Sequence, residues 1–381
     1  MAPSTQRRPL TVVQLLPALA SGGVERSTIE IAEALQRAGH RAIVVSAGGR
    51  LVPALEATGA RHVPLDIGRK SLWTLRHAWT LRRLFAEVGA DIVHARSRLP
   101  AWLAWWALRG RAAGTRPRFV TTVHGLNSPS RYSAVMARGE RVICVSGTVR
   151  EHVLAHYPTT DPARLRVIPR GVDPARFPRA PVRDTAARAA VAAEYPALSG
   201  TGALLLLPGR GTRLKGHVDA LQLLARLRAD GEDARLWMPG ARDPARAAYV
   251  AELEALAHAL GIDACVAITP PTDAIAEAYA ASDLVLQLSR RPEAFGRTVL
   301  EARAVGRAVA GWDHGGVGET LRAWQPEGLV EPFDMDALRA TVHRLLGQPP
   351  IPPVTMPDTL RAMQDATLAV YAELDDADGH A

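Results

Sequence analysis

Two short stretches of this 381-residue chain combine residue types suited to a phosphorylated, hydroxyl-rich ligand. The first is Pro208-Gly209-Arg210-Gly211-Thr212-Arg213-Leu214-Lys215-Gly216-His217, set between the apolar run 204–207 and a helical pattern. Glycines let backbone N–H groups approach phosphate oxygens, and a helix N-terminus favours an anion. Arg210 and Lys215 add two cations on the same turn. No Lys-Ser/Thr pair follows the glycine and the spacing is not GxGxxG, so neither common nucleotide loop is present. Taken alone, the turn reads equally as a glycine turn carrying solvated charges.

The second stretch is Arg291-Pro292-Glu293-Ala294-Phe295-Gly296-Arg297-Thr298-Val299-Leu300-Glu301, which follows the apolar run 283–288. Glu293 falls in the loop after that run and Glu301 on the helix that follows. Carboxylates accept hydrogen bonds from sugar or ribose hydroxyls, and the amides of Ala294, Phe295 and Gly296 lie at a helix start, where an anion is favoured. The alternative for an isolated Glu-x7-Glu is a capping Glu293 and a surface Glu301. No Cys/His spacing fits zinc. Two Asp-x-Asp matches, Asp334–Asp336 and Asp376–Asp378, fall at a helix start and in the tail, and neither is read as a metal site.

Positioning these groups takes a strand–turn–helix framework. Apolar runs at 11–16, 41–47, 91–95, 118–124, 141–146 and 165–169 alternate with helical patterns at 24–38 and 71–88. A second series at 203–208, 234–238, 265–269, 283–288 and 308–312 alternates with patterns at 217–229, 245–260 and 297–305. Nearly all-apolar strands between helices predict parallel sheets covered on both faces. Eleven strands with a Pro/Ala/Arg-rich break at 174–200 predict two doubly wound α/β domains, with ligands beyond the carboxyl ends of the strands. The boundaries read as 1–178, 179–356 and a C-terminal helix and tail at 357–381. The N-terminal Gln6-Arg7-Arg8 ahead of an apolar run resembles a short export signal. Gln14 and Pro17 interrupt that run and a Gly22-Gly23 loop follows it, so a buried first strand is the preferred reading.

In their order along the chain, these pieces resemble the retaining family-4, group 1 glycosyltransferases of GT-B fold. The resemblance covers nearly the whole chain. Residues 15–26 look like the family's first loop, and Ile168-Pro169-Arg170-Gly171-Val172-Asp173 like its segment before the interdomain crossing. Gly315-Gly316-Val317-Gly318-Glu319 looks like its late Gly-Gly…Glu loop. The form around Glu293 is most similar to bacterial enzymes of lipopolysaccharide core and surface polysaccharide assembly. The resemblance implies that Arg210 and Lys215 hold a donor diphosphate. It implies that Glu301 binds the nucleotide ribose, and that Glu293 with the Ala294–Gly296 amides binds the transferred sugar. Glu319 joins the donor site, Gly22 and Gly23 approach the diphosphate and acceptor, and His124 stands near the sugar. It implies a nucleotide-sugar substrate, a UDP-sugar foremost, no cofactor and no metal. It also implies a C-terminal helix that crosses back to the first domain. Arg170 stands where the family usually has Asn, and Gly211 where it usually has Leu.

Charge bears on the acceptor. Net charge is +8, and 44 of 46 basic residues are arginine, Lys70 and Lys215 being the exceptions. Residues 1–180 carry net +16 and residues 181–381 net −8. Five of eight tryptophans fall between Trp73 and Trp106. On the predicted helix 71–88, Arg69, Arg76 and Arg83 recur every seven residues beside Trp73 and Trp79, and Trp102, Trp105 and Trp106 line a further helix. Tryptophan and arginine on amphipathic helices suit a membrane interface, although a tryptophan core with an arginine rim is the plainer reading of either helix alone. The charge split favours an anionic glycolipid or lipid-linked glycan acceptor and peripheral attachment to the cytoplasmic face of the inner membrane. Nucleic-acid binding also explains a basic half, but it leaves Glu293 and Glu301 without a role. A soluble transferase with a small-molecule acceptor is the nearer rival. Two cysteines, Cys144 and Cys265, cannot form a disulfide framework and suit a reducing compartment. No apolar stretch reaches the ~18–20 residues of a membrane span.

Overall fold

The apolar run that opens the sequence forms a wholly buried strand, Thr11–Leu15 (β1). The computed structural model describes residues 8–20, 22–110, 116–180, 182–352, 355–356 and 359–376. Gln6, Arg7, Ser21 and the second Asp of the tail motif, Asp378, therefore lie outside the described residues. Arg8 is ion-paired to Asp91 at 2.8 Å and to Asp375 at 2.6 Å.

The chain divides into two compact units, 1–169 with 360–381, and 170–359. The break falls between Pro169 and Arg170 rather than after residue 178, because Val172 already pairs with Thr359 and Ala180 with Val305. In the first unit β1 is joined by β2 (Arg41–Ser46), β3 (Arg61–Pro64), β4 (Ile92–Ala95), β5 (Arg118–Val123), β6 (Arg141–Cys144) and β7 (Leu165–Val167). All pairs are parallel, in the order β3-β2-β1-β4-β5-β6-β7. The second unit contains β8 (Ala203–Leu206), β9 (Ala234–Pro239), β10 (Val266–Thr269), β11 (Leu284–Gln287), β12 (Ala308–Trp312) and β13 (Leu329–Val330), ordered β10-β9-β8-β11-β12-β13 and again parallel. Each sheet reverses its winding once, between β1 and β4 and between β8 and β11. Those reversals open the crevices where such folds take ligands.

Two strands were not expected from the sequence, and both are sheet edges. β3 reads Arg-His-Val-Pro with no buried residue, and β13 has two residues. An edge strand needs no continuous apolar run, so neither carries that signal. The predicted helix 71–88 is in fact a 3₁₀ turn, Leu72–Arg76, followed by an α-helix, His77–Glu87. Arg69 precedes both, so the three arginines do not share one continuous helix face.

The C-terminal helix Leu360–Asp376 belongs to the first unit and packs on the helix Gly23–Arg37. Met363, Val370, Tyr371 and Leu374 enter the same core as Leu10, Val12 and Ile143. The Tyr371 hydroxyl bonds His94 Nδ1 at 2.7 Å, and Glu373 pairs with Arg141 at 2.7 Å and Arg166 at 2.5 Å.

Candidate functional site

In the second unit the two sequence motifs converge on one crevice. The glycine turn follows β8, and the Glu293 loop follows β11, its neighbour at the winding reversal. Glycine is required at two points of the turn. A Cβ on Gly211 would lie 2.0 Å from the Ala241 carbonyl oxygen. Gly216 has φ +76°, and its Cβ would lie 2.0 Å from the Leu288 oxygen. The turn is thus pressed between the ends of β9 and β11. Hydrogen bonds from Gly211 N to Gly240 O (3.1 Å) and from Arg290 N to Leu214 O (2.8 Å) hold it there.

Lys215 Nζ donates to Glu293 Oε1 at 2.6 Å, with both side chains about a quarter exposed at 27% and 25%. The Ser289 hydroxyl donates to the same oxygen. One carboxylate therefore unites the cationic turn and the acidic loop. Arg210 is exposed on the same turn. Gly216 and Gly296 precede the helices His217–Ala229 and Arg297–Val305 without any side-chain cap, which leaves the first-turn amides facing the crevice side of the sheet. Glu301 lies one turn into the second helix. It accepts from Arg297 Nε at 2.8 Å and from the buried Tyr279 hydroxyl at 3.0 Å. Burial and the Glu301 carboxylate raise the Tyr279 pKa, keeping the phenol protonated as a donor.

Gly315–Glu319 is not a loop. It is the first turn and a half of the helix Gly315–Trp324, and Glu319 lies half-buried on that helix. The glycines serve close packing: a Cβ on Gly316 would sit 2.5 Å from Phe295 Cα and 2.6 Å from Ala294 C. Gly316 N donates to Glu293 O at 2.7 Å, and His314 Nε2 bonds Ser289 O at 2.7 Å. Ser289, His314 and Tyr279 therefore hold the two glutamates. None stands in a motif, and only their spatial position reveals them. Asp334 caps the helix Met335–Gly347 by accepting from the amides of Asp336 (3.1 Å) and Ala337 (2.9 Å), while Asp336 pairs with Arg226 at 2.8 Å.

In the first unit, Gly22 (φ +138°) precedes the helix Gly23–Arg37, again without a side-chain cap, at the carboxyl end of β1. His124 follows β5 directly and is half-buried. Beneath the same helix start lies a residue the sequence did not point to. Arg96 is 4% exposed and donates to Gln14 Oε1 (2.9 Å) and Ser27 Oγ (2.6 Å), and burial lowers its pKa to about 10.

The basic aromatic surface is real in exposure. Trp73 and Trp79 are 76% and 72% exposed, and Arg69, Arg76 and Arg83 are exposed as well. The Arg76 guanidinium lies 6.0 Å from the Trp73 ring and that of Arg82 5.9 Å from Trp79, a cation–π geometry.

A family model described as Glycosyltransferase Family 4 matches residues 21–176, and one described as Glycosyl transferases group 1 matches residues 194–358. A D-inositol 3-phosphate glycosyltransferase from Geodermatophilus obscurus is 31% identical over 220 residues, 56% of this chain and 47% of that protein. The chain thus spans about half the length of the curated relative it matches there. A glycosyltransferase from Rickettsia africae superposes with a TM-score of 0.82 at 27% identity, over 97% of this chain and 99% of that one. The Anabaena protein HepE, in complex with UDP and glucose, superposes with a TM-score of 0.72 at 19% identity over 96% and 95% of the two chains, a likeness of fold.

Proposed function

Because the chain belongs to the family-4, group 1 glycosyltransferases of GT-B fold, we propose that it is a retaining hexosyltransferase. It moves a sugar from a nucleotide-sugar, a UDP-sugar foremost, to a lipid-linked or phosphorylated glycan acceptor, in lipopolysaccharide core or surface polysaccharide assembly. The observation that carries this reading is the Lys215–Glu293 pair, which ties the phosphate turn to the sugar-binding loop at one winding reversal. HepE, with UDP and glucose, supports the donor class.

The chemistry is electrostatic. Negative charge grows on the departing diphosphate, and fixed cations aimed at it lower the barrier. Lys215 and Arg210 supply those cations, and the uncapped helix start beyond Gly216 adds its amides. Binding the diphosphate draws Lys215 from Glu293, which frees that carboxylate to accept from sugar hydroxyls. The Ala294–Gly296 amides and Glu319 complete the donor site. Glu301, oriented by Tyr279 and Arg297, accepts from the ribose. The acceptor attacks from the face the diphosphate leaves, and the departing oxygen takes its proton, so configuration is retained without a metal or cofactor. His124 and the Gly22-Gly23 turn serve the sugar and acceptor from the first unit. Peripheral attachment to the cytoplasmic face of the inner membrane fits the basic first unit, and no helix among the described residues is long and apolar enough to cross a membrane.

Thermal shift and turnover with UDP-, GDP- and ADP-sugars test the donor. A UDP-sugar raises the melting temperature, and Glu301→Ala abolishes that rise while the protein stays folded. No stabilisation by any of the three, or an unchanged shift in the variant, rules the assignment out. A small phosphorylated acceptor is the second reading, favoured by the inositol 3-phosphate transferase named above. Acceptor screening separates the two, since that reading needs no lipid.

A further inference from the structure

A pocket of about 610 Å³ opens in the first unit beside the tryptophan-bearing helix Arg98–Leu108, apart from the glycine and glutamate motifs, and its volume lies within the ~300–1,000 Å³ of ordinary ligand sites. Leu75, Leu99, Trp102 and Trp106 form its apolar wall, and Arg131 and Arg138 stand among its lining residues. The wall is built rather than collapsed. Trp102 packs on Trp106 with ring centroids 5.3 Å apart, and its indole N–H donates to the Tyr132 carbonyl at 2.8 Å, tying the helix Arg98–Leu108 to the segment beyond β5. Leu75 and Trp106, both lining residues, remain 41% and 36% exposed, so apolar surface is open to a ligand there.

The stretch of sequence that supplies it is strongly basic. Residues 67–138 contain thirteen Lys and Arg but only two acids, Glu87 and Asp91. Elsewhere in the unit arginines meet carboxylates: Arg8 with Asp91, Arg118 with Glu140, Arg141 and Arg166 with Glu373. Arg131 and Arg138 are exposed and form no ion pair among the described residues. The Arg138 guanidinium lies 5.5 Å from the Trp102 ring and 4.6 Å from the Trp105 ring, cation–π contacts that hold it in place and still let its N–H groups meet a phosphate. A purely apolar partner would strand these two cations, and a bare anion would leave the aromatic wall uncovered.

We propose that this pocket binds a lipid phosphate, its hydrocarbon chain against Leu75, Leu99, Trp102 and Trp106 and its phosphate on Arg131 and Arg138, as the lipid end of the acceptor. The assignment rests on the lipid-linked acceptor reading and names the part of the acceptor that this chain grips.

Farnesyl monophosphate below its micellar concentration, titrated into the full-length protein and followed by tryptophan fluorescence and calorimetry, is the probe. The expected result is one saturable site, with farnesol and inorganic phosphate each weaker by about tenfold or more. Leu99→Trp, which fills the pocket, and Arg131→Ser with Arg138→Ser, which keeps the wall, each weaken binding about tenfold or more while UDP binding is unchanged. Should Leu99→Trp fail to fold, the exposed double arginine variant still decides. Equal binding of farnesol, equal binding of inorganic phosphate, or unaltered affinity in the variants overturns the proposal. Loss of UDP binding by the parent protein, with farnesyl monophosphate still bound, strikes the donor reading and leaves the pocket standing.

Discussion

His217 carries the clearest pH consequence among single residues. It opens the helix His217–Ala229 and is fully buried. Burial lowers its pKa to about 4, the Thr212 backbone opposing the shift and Lys215 adding to it. An unfolded histidine titrates near ~6.5. Between those values the unfolded chain takes up a proton that the folded chain refuses. Stability is therefore full above about pH 6.5 and falls as pH drops to about 4, by roughly 3 kcal/mol in all. Urea midpoints across this range should fall more steeply for the parent protein than for His217→Leu; parallel curves would mean that His217 does not stay neutral in the fold. Residue types with a charge and a motif, such as Lys215, Glu293 and Glu301, were legible in the sequence. Tyr279 and Arg96 were not, because each acts through a partner distant in sequence, and Ser289, only four residues from Glu293, stands outside any motif. Tyr279 meets Glu301 only because the helix Ile275–Ala281 packs beside the helix Arg297–Val305.

Among the elements, the helix Gly315–Trp324 shows what local reading misses. Three glycines in five residues read as a loop, since glycine weakens a helix by about 1 kcal/mol relative to alanine. Here the backbone of Glu293–Phe295 sits where side chains would otherwise be, so contact rather than propensity decides. Gly316→Ala should therefore cost about 1–3 kcal/mol as overpacking, and it should weaken donor binding as well because the displaced segment carries Glu293. Gly347→Ala is the matched control: it ends the helix Met335–Gly347, and an added Cβ there meets nothing within 4 Å. Thermal melts with and without UDP should show the first variant lowered and less responsive to ligand, and the second unchanged or raised. If Gly316→Ala melts like the parent protein, the close approach is not a constraint. The interior strands were legible because burial on both faces demands an apolar run, whereas β3 and β13, at the edges, met no such demand.

Across the whole molecule, the split between a first unit of net charge +10 and a second of net charge −2 predicts how the protein meets a bilayer. Each Lys or Arg close to an anionic leaflet contributes about 1 kcal/mol, and the attraction is screened over ~10 Å at 0.1 M salt. Composition alone left that charge ambiguous between nucleic acid and lipid. The exposure of Leu72, Trp73 and Trp79 beside Arg76 and Arg82 favours lipid, since indoles partition to a membrane interface whereas phosphate contacts alone need none. Flotation with vesicles rich in phosphatidylglycerol should retain the protein at low salt and release it at high salt, and phosphatidylcholine vesicles should retain little. Trp73→Ala with Trp79→Ala should weaken retention without altering the melting temperature, because both rings are solvent-facing. Retention that ignores lipid charge, salt and both tryptophans would place the basic surface in contact with the acceptor alone, and the attachment to the membrane would fall.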